Sequence, residues 1–174
     1  MEQAEATWEG AAKVVAVQRP FEEFFELEQE RLLGLLWMVT GSLQEAEDIV
    51  QEAFLRVWER WANVSAMDSP AGYLHRTAMN VFRNRYRRAR LGVRKAVGVA
   101  PPNDAFGAVD DRVTVSNALA KLTPKQRAAI VLTDLLGYPA EEAARMLGIR
   151  GSTVRSLSST ARAAMRNAEE LADE

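Results

Sequence analysis

The chain has 174 residues, enough for one medium domain or two small ones, and its 48% hydrophobic content argues against wholesale disorder. The absence of cysteine excludes a disulfide framework, thiolate metal sites and cysteine nucleophiles, and the net charge of −2 argues against a generic polyanion binder. No apolar run approaches the roughly 20 residues that span a bilayer. The acidic N-terminal residues lack the basic segment followed by an apolar segment that is typical of a signal peptide. We therefore expect a cytoplasmic protein with no membrane contact.

Helical periodicity dominates the chain and predicts an all-α fold. The first predicted helix begins at Phe21 and runs up to Gly41. Glycine is the residue type that most often follows the last turn of a helix. Ser42 and Glu45 then match the S-x-x-E capping box of a second helix. The core-facing stripe of this second helix consists of Ile49, Ala53, Phe54, Val57 and Trp58.

A polar trio occupies the first turns of the second helix. Asp48, Gln51 and Glu52 stand at i, i+3 and i+4, which places them on one exposed side. Two carboxylates and an amide on one face suit charge-assisted hydrogen bonds to arginines of a partner. The residues alone favour the alternative, a solvated acidic face of a surface helix.

A third predicted helix, from about Ala71 to Arg90, follows the loop "ANVSAMDSP". From Arg76 to Lys95 the chain has eight basic residues and no acid. Affinity for phosphates depends on such local positive charge, so the stripe favours contact with nucleic acid over the alternative of a solvated helix face.

A second helical unit follows a segment rich in breakers. Thr123, Pro124 and Gln126 predict a helix that opens with a capping box, and two further helices are predicted beyond it. The fold class is therefore all-α, with two small helical domains joined by a flexible linker. The predicted organisation is an N-terminal extension (1–20), a first domain (21–95), the linker (96–111) and a second domain (112–174).

The last two helices match a helix-turn-helix. The first stops at Gly148, Ile149 follows the turn, and the second begins near Ser152. In such motifs the second helix presents its N-terminal residues to base edges in the major groove of DNA. An αα-hairpin without a partner is the alternative. The candidate DNA contacts are Ser152, Thr153, Arg155, Ser156 and Ser159, with Arg162 placed for a phosphate.

Four motifs together resemble a known family. "DIVQEAFLRVW", "YLHRTAMNVFRNRYRRAR", "LAKLTPKQRAAIVL" and "GSTVRS" occur in the order found in the extracytoplasmic-function (ECF) sigma factors of bacterial RNA polymerase. The likeness extends from Phe21 to about Arg166 and is closest to the small actinobacterial branch often called the SigE family. It implies sigma2-like and sigma4-like domains that direct promoter-specific initiation, with no catalytic residue, cofactor, metal or small-molecule substrate.

The resemblance assigns a protein partner to the polar trio. In this family the Asp-x-x-Gln-Glu helix docks on the clamp helices of the β′ subunit of core polymerase, and the sigma4 domain meets the β flap. The implied docking residues here are Asp48, Gln51, Glu52 and Phe54. Members are commonly held inactive by an anti-sigma factor that covers both domains, which makes an anti-sigma factor a candidate partner here without the sequence deciding it.

The resemblance also implies that the basic helix reads the melted −10 element. Asn80 matches the family's asparagine, Asn84 stands where many members have Asp, and the loop Asn63 to Pro70 would hold a base turned out of the stack. Tyr73, Trp58 and Trp61 are expected to pack rather than to contact DNA. The implied −10 contacts are Arg76, Asn80, Arg83, Asn84, Arg87, Arg88 and Arg90.

One departure concerns the −35 element. After "TVRS" the family continues with several basic residues, whereas this chain continues with "LSSTAR". Each lost phosphate contact lowers affinity, so the isolated C-terminal domain is predicted to bind its −35 element weakly.

Two other classes of protein are weighed against a sigma factor. A helix-turn-helix regulator that acts without polymerase leaves the Asp48 trio unexplained, and such regulators usually bind as dimers. An enzyme is disfavoured because the only histidine, His75, lies on the basic helix, where a surface or DNA-facing position is expected. The chain also lacks a Glu-x-x-His pair, an HExxH motif and a glycine-rich phosphate loop.

Overall fold

The computed structural model describes residues 20–95 and 118–170, and within these ranges it contains helices and no strand. The N-terminal residues 1–19 and the predicted linker 96–111 lie outside the described residues. The helices are α1 (Phe21–Thr40), α2 (Leu43–Trp58), α3 (Trp61–Val64), α4 (Pro70–Lys95), α5 (Pro124–Ile130), α6 (Ala140–Leu147) and α7 (Gly151–Glu170). We call α1 to α4 the first helical unit and α5 to α7 the second helical unit.

The junction of α1 and α2 forms as its residues predict. Gly41 adopts a left-handed conformation with φ of 77°, and its amide donates to the carbonyl of Trp37 at 2.8 Å. The hydroxyl of Ser42 accepts a hydrogen bond from the amide of Glu45 at 3.3 Å. A sharp reversal therefore packs α2 against α1.

Aromatic rings hold the far ends of α1 and α2 together. The rings of Phe25 and Phe54 lie 4.8 Å apart, and those of Phe24 and Trp61 lie 4.9 Å apart. Trp61 is the first residue of the short helix α3, which extends into the stretch predicted as loop. The packing of Trp61 agrees with the prediction that this side chain packs within the protein. The prediction for Trp58 is wrong, because this side chain at the end of α2 is 56% exposed.

The second helical unit opens with a complete capping box. The hydroxyl of Thr123 accepts from the amide of Gln126, and the Gln126 side chain accepts from the amide of Thr123 at 2.8 Å. The predicted regular helix then widens into a π-helical turn, Val131–Leu135. There the Thr133 hydroxyl donates to the carbonyl of Ala129 at 3.0 Å, which loosens the regular ladder.

The helix-turn-helix motif is present at α6 and α7. Gly148 lies in the left-handed region with φ of 63°, and its amide donates to the carbonyl of Ala144. The amide of Ile149 donates to the same carbonyl at 3.1 Å. A tight turn therefore joins α6 to the first residue of α7, Gly151.

The two helical units share one hydrophobic core. Leu36 and Val39 of α1 belong to the same continuous cluster as Ala128 of α5, Leu132 of the π-helical turn and Val154 of α7. All five side chains are fully buried. Each unit therefore buries apolar surface against the other. No helix within the described ranges is long and apolar enough to cross a membrane.

Replacing Gly148 by Ala tests the turn of the helix-turn-helix. A residue with a Cβ in the left-handed region costs about 1–2 kcal/mol, so Gly148→Ala is expected to lower the free energy of unfolding by about that amount. Gly34→Ala is the matched control, because a Cβ there meets nothing within 4 Å and Ala favours a helix interior. We expect urea unfolding to give a lower free energy of unfolding for Gly148→Ala and a higher one for Gly34→Ala than for wild type. A Gly148→Ala variant as stable as wild type would contradict this account.

Candidate functional site

The polar trio of α2 faces solvent as its spacing predicts. The side chains of Asp48 and Gln51 are exposed and that of Glu52 is half-buried. Arg85 of α4 donates to Asp48 at 3.1 Å and to Glu52 at 3.3 Å. Burial acts to lower the pKa of Arg85, but the hydrogen bonds that it donates to these two carboxylates, together with their negative charges, outweigh burial and raise the pKa. The trio thus already accepts a guanidinium from another helix.

Phe54 does not belong to the exposed surface formed by the trio. It is only 3% exposed, and its ring packs against Phe21, Phe24 and Phe25. The structure therefore does not present this ring to a partner, contrary to the role predicted for it, because the apolar stripe of α2 turns it inward. Beside it, Leu55 and Trp58 are more than half exposed.

The candidate DNA-reading residues share one side of α4. Asn80, Arg83 and Asn84 are half-buried, whereas the guanidinium-bearing side chains nearer the C-terminal end of α4 stand clear in solvent. Arg76 donates to Glu142 of α6 at 2.7 Å. Arg87, Arg88 and Arg90 are exposed as well, and Arg90 lies over the ring of Tyr86. The side of α4 predicted to read DNA therefore points partly toward the second helical unit.

His75 lies at the junction of the two units, and its predicted surface position is wrong. Its Nδ1 atom is 3.0 Å from the hydroxyl of Tyr138 in the segment before α6. Burial lowers the pKa of His75 below its ordinary value of 6.5 and raises the pKa of Tyr138. Both groups are thus favoured in their neutral forms, which suits a partly buried hydrogen bond.

The candidate DNA contacts of the second unit lie on the outer side of α7. Arg155 donates to Glu141 of α6 at 2.8 Å, and Arg162 makes two hydrogen bonds of 2.7 Å to Asp134. The hydrogen bond from Arg162 lowers the pKa of Asp134, which stays ionised. The polar candidates Ser152, Thr153, Ser156 and Ser159 are exposed.

Sequence reasoning missed two arginines and one serine. Arg85 stands within the basic stripe, but its position on the helix turns it away from Arg83 and toward α2. Arg127 is only 3% exposed, and its place in the apolar run "RAAIVL" was the available signal of burial. Ser158 is 2% exposed and lies 3.1 Å from the Thr133 hydroxyl, so it stands inside the fold rather than at a phosphate.

Two family models match the chain. The Sigma-70 region 2 model matches residues 24–91, and the Sigma-70, region 4 model matches residues 112–165. The region 2 match contains the polar trio and the basic helix α4, and the region 4 match contains the helix-turn-helix.

Similar proteins agree with these models. The ECF RNA polymerase sigma factor SigM of Mycobacterium tuberculosis is 30% identical over 154 residues, 88% of this chain and 79% of that protein. The RNA polymerase sigma-E factor of Streptomyces coelicolor is 30% identical over 153 residues, 87% of this chain and 85% of that protein. The fold resembles the sigma factor RpoE of Bartonella quintana, solved with the anti-sigma factor NepR, at a TM-score of 0.65 and 23% identity over 86% of this chain and 96% of that chain.

The chain belongs to the ECF family of RNA polymerase sigma factors. It binds core RNA polymerase and directs promoter-specific initiation of transcription. The prediction of the family from four motifs is confirmed. Placement in the SigE branch stays a prediction, since relatives named SigM and sigma-E match at the same identity.

The partly buried position of His75 predicts a dependence of stability on pH. Because the folded state lowers the pKa of His75, its contribution is full above pH 6.5 and is lost as the pH falls through the folded pKa. The neighbouring charges are those of Arg76 and Glu142. Between about pH 7.5 and about pH 5.5, thermal unfolding of wild type should shift down more than that of His75→Gln, which has no titrating ring. Equal shifts would show that His75 is not the responsible group.

Proposed function

We propose that Asp48, Gln51 and Glu52 are the residues that dock this sigma factor on the clamp helices of the β′ subunit. The observation that carries the proposal is the pairing of these carboxylates with Arg85, a guanidinium from another helix. A clamp-helix arginine offers the same planar group and the same hydrogen-bond donors. Docking then exchanges one guanidinium for another at an exposed, acidic surface.

We propose a second polymerase contact at an apolar groove of about 420 Å³ beside α7. Most of its lining comes from residues outside the first unit, and Leu135 in the lining is 57% exposed. An exposed apolar groove of this kind suits the apolar face of a helical or loop element such as the β flap. The side chains that line it include Leu119, Ile130, Val131, Leu135, Met165 and, from α1, Met38.

For the −10 element, we propose that α4 and the loop before it act together. Asn80 and Asn84 would contact bases, and the loop Asn63 to Pro70 would hold the base turned out of the stack. Asn63 and Asp68 are exposed there, and the hydroxyl of Ser69 accepts from the amide of Gly72, which fixes the start of α4. The phosphates would be followed by Arg76, Arg83, Arg87, Arg88 and Arg90.

For the −35 element, we propose that the first turns of α7 enter the major groove. Ser152, Thr153, Arg155 and Ser156 would reach base edges, and Ser159 and Arg162 would lie nearer the backbone. The pairs of Arg155 with Glu141 and of Arg162 with Asp134 are solvent-exposed, so each contributes at most about 1 kcal/mol and can yield to a phosphate or base.

The proposed division of the chain follows from these roles. Residues 21–95 dock on polymerase and read the −10 element, 96–111 form the tether, 112–174 read the −35 element, and 1–20 are an extension. The factor would act in the cytoplasm without catalytic residues or cofactors of its own. An anti-sigma partner is also proposed, supported by the fold shared with the sigma factor RpoE that binds NepR. A helix-turn-helix regulator that acts without docking on polymerase is not favoured.

Removing both charges of the trio tests polymerase docking. Asp48→Asn/Glu52→Gln is expected to slow association with core polymerase and to weaken binding modestly, because docking exchanges the hydrogen bonds from Arg85 for hydrogen bonds from a clamp-helix arginine. The control is Glu47→Gln, an exposed acid on the same helix outside the trio. Binding is measured with labelled sigma factor, and run-off transcription checks the consequence. A double variant that transcribes like wild type would refute the docking role.

Restoring a basic residue to α7 tests the −35 surface. Ser159→Arg is expected to strengthen binding of the full chain to a duplex upstream of a mapped start site and to steepen the salt dependence by about one unit of slope. Leu27→Arg on α1 adds the same charge to an exposed site of the first unit and is the control. The measurement is a salt titration of binding. An equal gain in both variants would mean that only net charge matters.

A further inference from the structure

A cleft of about 550 Å³ lies between α4 and the turn of the helix-turn-helix. Its volume falls within the range of roughly 300–1,000 Å³ that is typical of small-molecule sites. Four of the residues that line it are cations, namely Arg83, Arg87 and Arg90 of α4 and Lys125 of α5. None of the lining residues is acidic.

Helical spacing places the three arginines of the cleft on one side of α4. Arg83, Arg87 and Arg90 stand at i, i+4 and i+7, positions that lie above one another on a helix. Lys125, in the first turn of α5, lines the same cleft and is exposed. Four positive charges from two helices therefore border a single cavity.

These four cations have no carboxylate partner within the described ranges, where Arg90 packs only on the ring of Tyr86. Two other arginines of α4 are paired differently, because Arg76 contacts Glu142 at 2.7 Å and Arg85 contacts Asp48 at 3.1 Å. Charges of one sign in a cleft with low-dielectric walls concentrate ions of the opposite sign. The cleft is therefore suited to an anion with several charges.

The guanidinium of Arg83 rests against the turn of the helix-turn-helix. A Cβ on Gly148 would come 2.5 Å from its Nη1 atom, so the glycine leaves the space that the guanidinium occupies. Arg83 is half-buried at this position. An arginine held in this way offers its planar set of donors to a phosphate with little further loss of side-chain freedom.

The rest of the lining is apolar and aromatic. Leu147 and Ile149 of the turn and Leu91 of α4 border the cleft together with the ring of Tyr86. Phe82 stacks on Tyr86 with the ring centroids 5.9 Å apart and the planes inclined by 28°, which supports the orientation of the tyrosine. A flat heterocycle packs well on a surface of this kind.

We propose that this cleft binds a nucleoside polyphosphate. Arg83, Arg87 and Lys125 hold the phosphates, and the base lies against Tyr86 and Ile149. A single inorganic phosphate would leave most of the volume and of the apolar lining unused. The site goes beyond the proposed promoter contacts, although it shares three arginines with the proposed −10 surface.

The test is titration calorimetry of the full chain with ATP at about 0.15 M salt, where loose attraction between exposed charges is screened. We expect one ATP to bind per chain, and tripolyphosphate and adenosine to bind more weakly by roughly tenfold or more, since each supplies only part of the contacts. Lys125→Gln should weaken ATP binding roughly three- to fivefold. Arg83→Gln/Lys125→Gln should weaken it roughly tenfold or more.

Arg145→Gln is the matched control, because it removes an exposed arginine of α6 that does not line the cleft. Its affinity for ATP should equal that of wild type. Lys125 is exposed, so the single variant keeps the test valid if the half-buried Arg83 is needed for folding, which circular dichroism checks.

The absence of ATP binding, or an equal loss of affinity in Arg145→Gln, would overturn the nucleotide site. Tripolyphosphate that binds as tightly as ATP would also overturn it, because charge alone would then account for the binding. A short single-stranded DNA is titrated in parallel. If Lys125→Gln weakens DNA binding as much as ATP binding, the cleft belongs to the DNA surface and the proposal fails, whereas a smaller loss for DNA supports a separate nucleotide site.

Discussion

A single buried guanidinium fixes how the two halves of this molecule meet. Burying a charge costs several kcal/mol unless its donors are satisfied, and Arg127 satisfies them with backbone carbonyls from both units. The planar fork of arginine gives these hydrogen bonds a fixed direction. Apolar packing in the shared core, to which Val39 and Leu132 belong, could tolerate sliding, whereas this set of directional hydrogen bonds favours one arrangement of α5 on the end of α1.

Acids of the second helical unit hold some of the cations that would face DNA, whereas Arg87, Arg88 and Arg90 stand exposed. Glu142 pairs with Arg76, Glu141 with Arg155 and Asp134 with Arg162, in each case through an exposed or partly exposed contact. Such pairs contribute little in water, so phosphates can replace the carboxylates at small cost.

Local signals predicted most of the helices, and long-range contacts account for what they missed. Gly41, Ser42 and Thr123 act within a few residues of their own positions, so their roles could be read directly. His75 is held by a residue 63 positions away, a contact that no local pattern encodes. Trp58 continued the apolar stripe of α2, yet the chain turns there and Trp61 fills the aromatic cluster instead. The trio was recognisable from spacing, but its pairing with Arg85 depends on where α4 crosses α2.

That crossing limits what the trio could contribute under the proposed docking on polymerase. Because Asp48 and Glu52 already accept hydrogen bonds from Arg85, the proposed docking would replace existing bonds and gain only the difference between two guanidinium partners. Exchanges of this kind contribute to specificity and to the rate of encounter more than to affinity. Under this proposal, the larger share of the binding free energy would come from apolar surface. Leu55 and Trp58 stand more than half exposed on the same helix as the trio, which makes their burial the natural source.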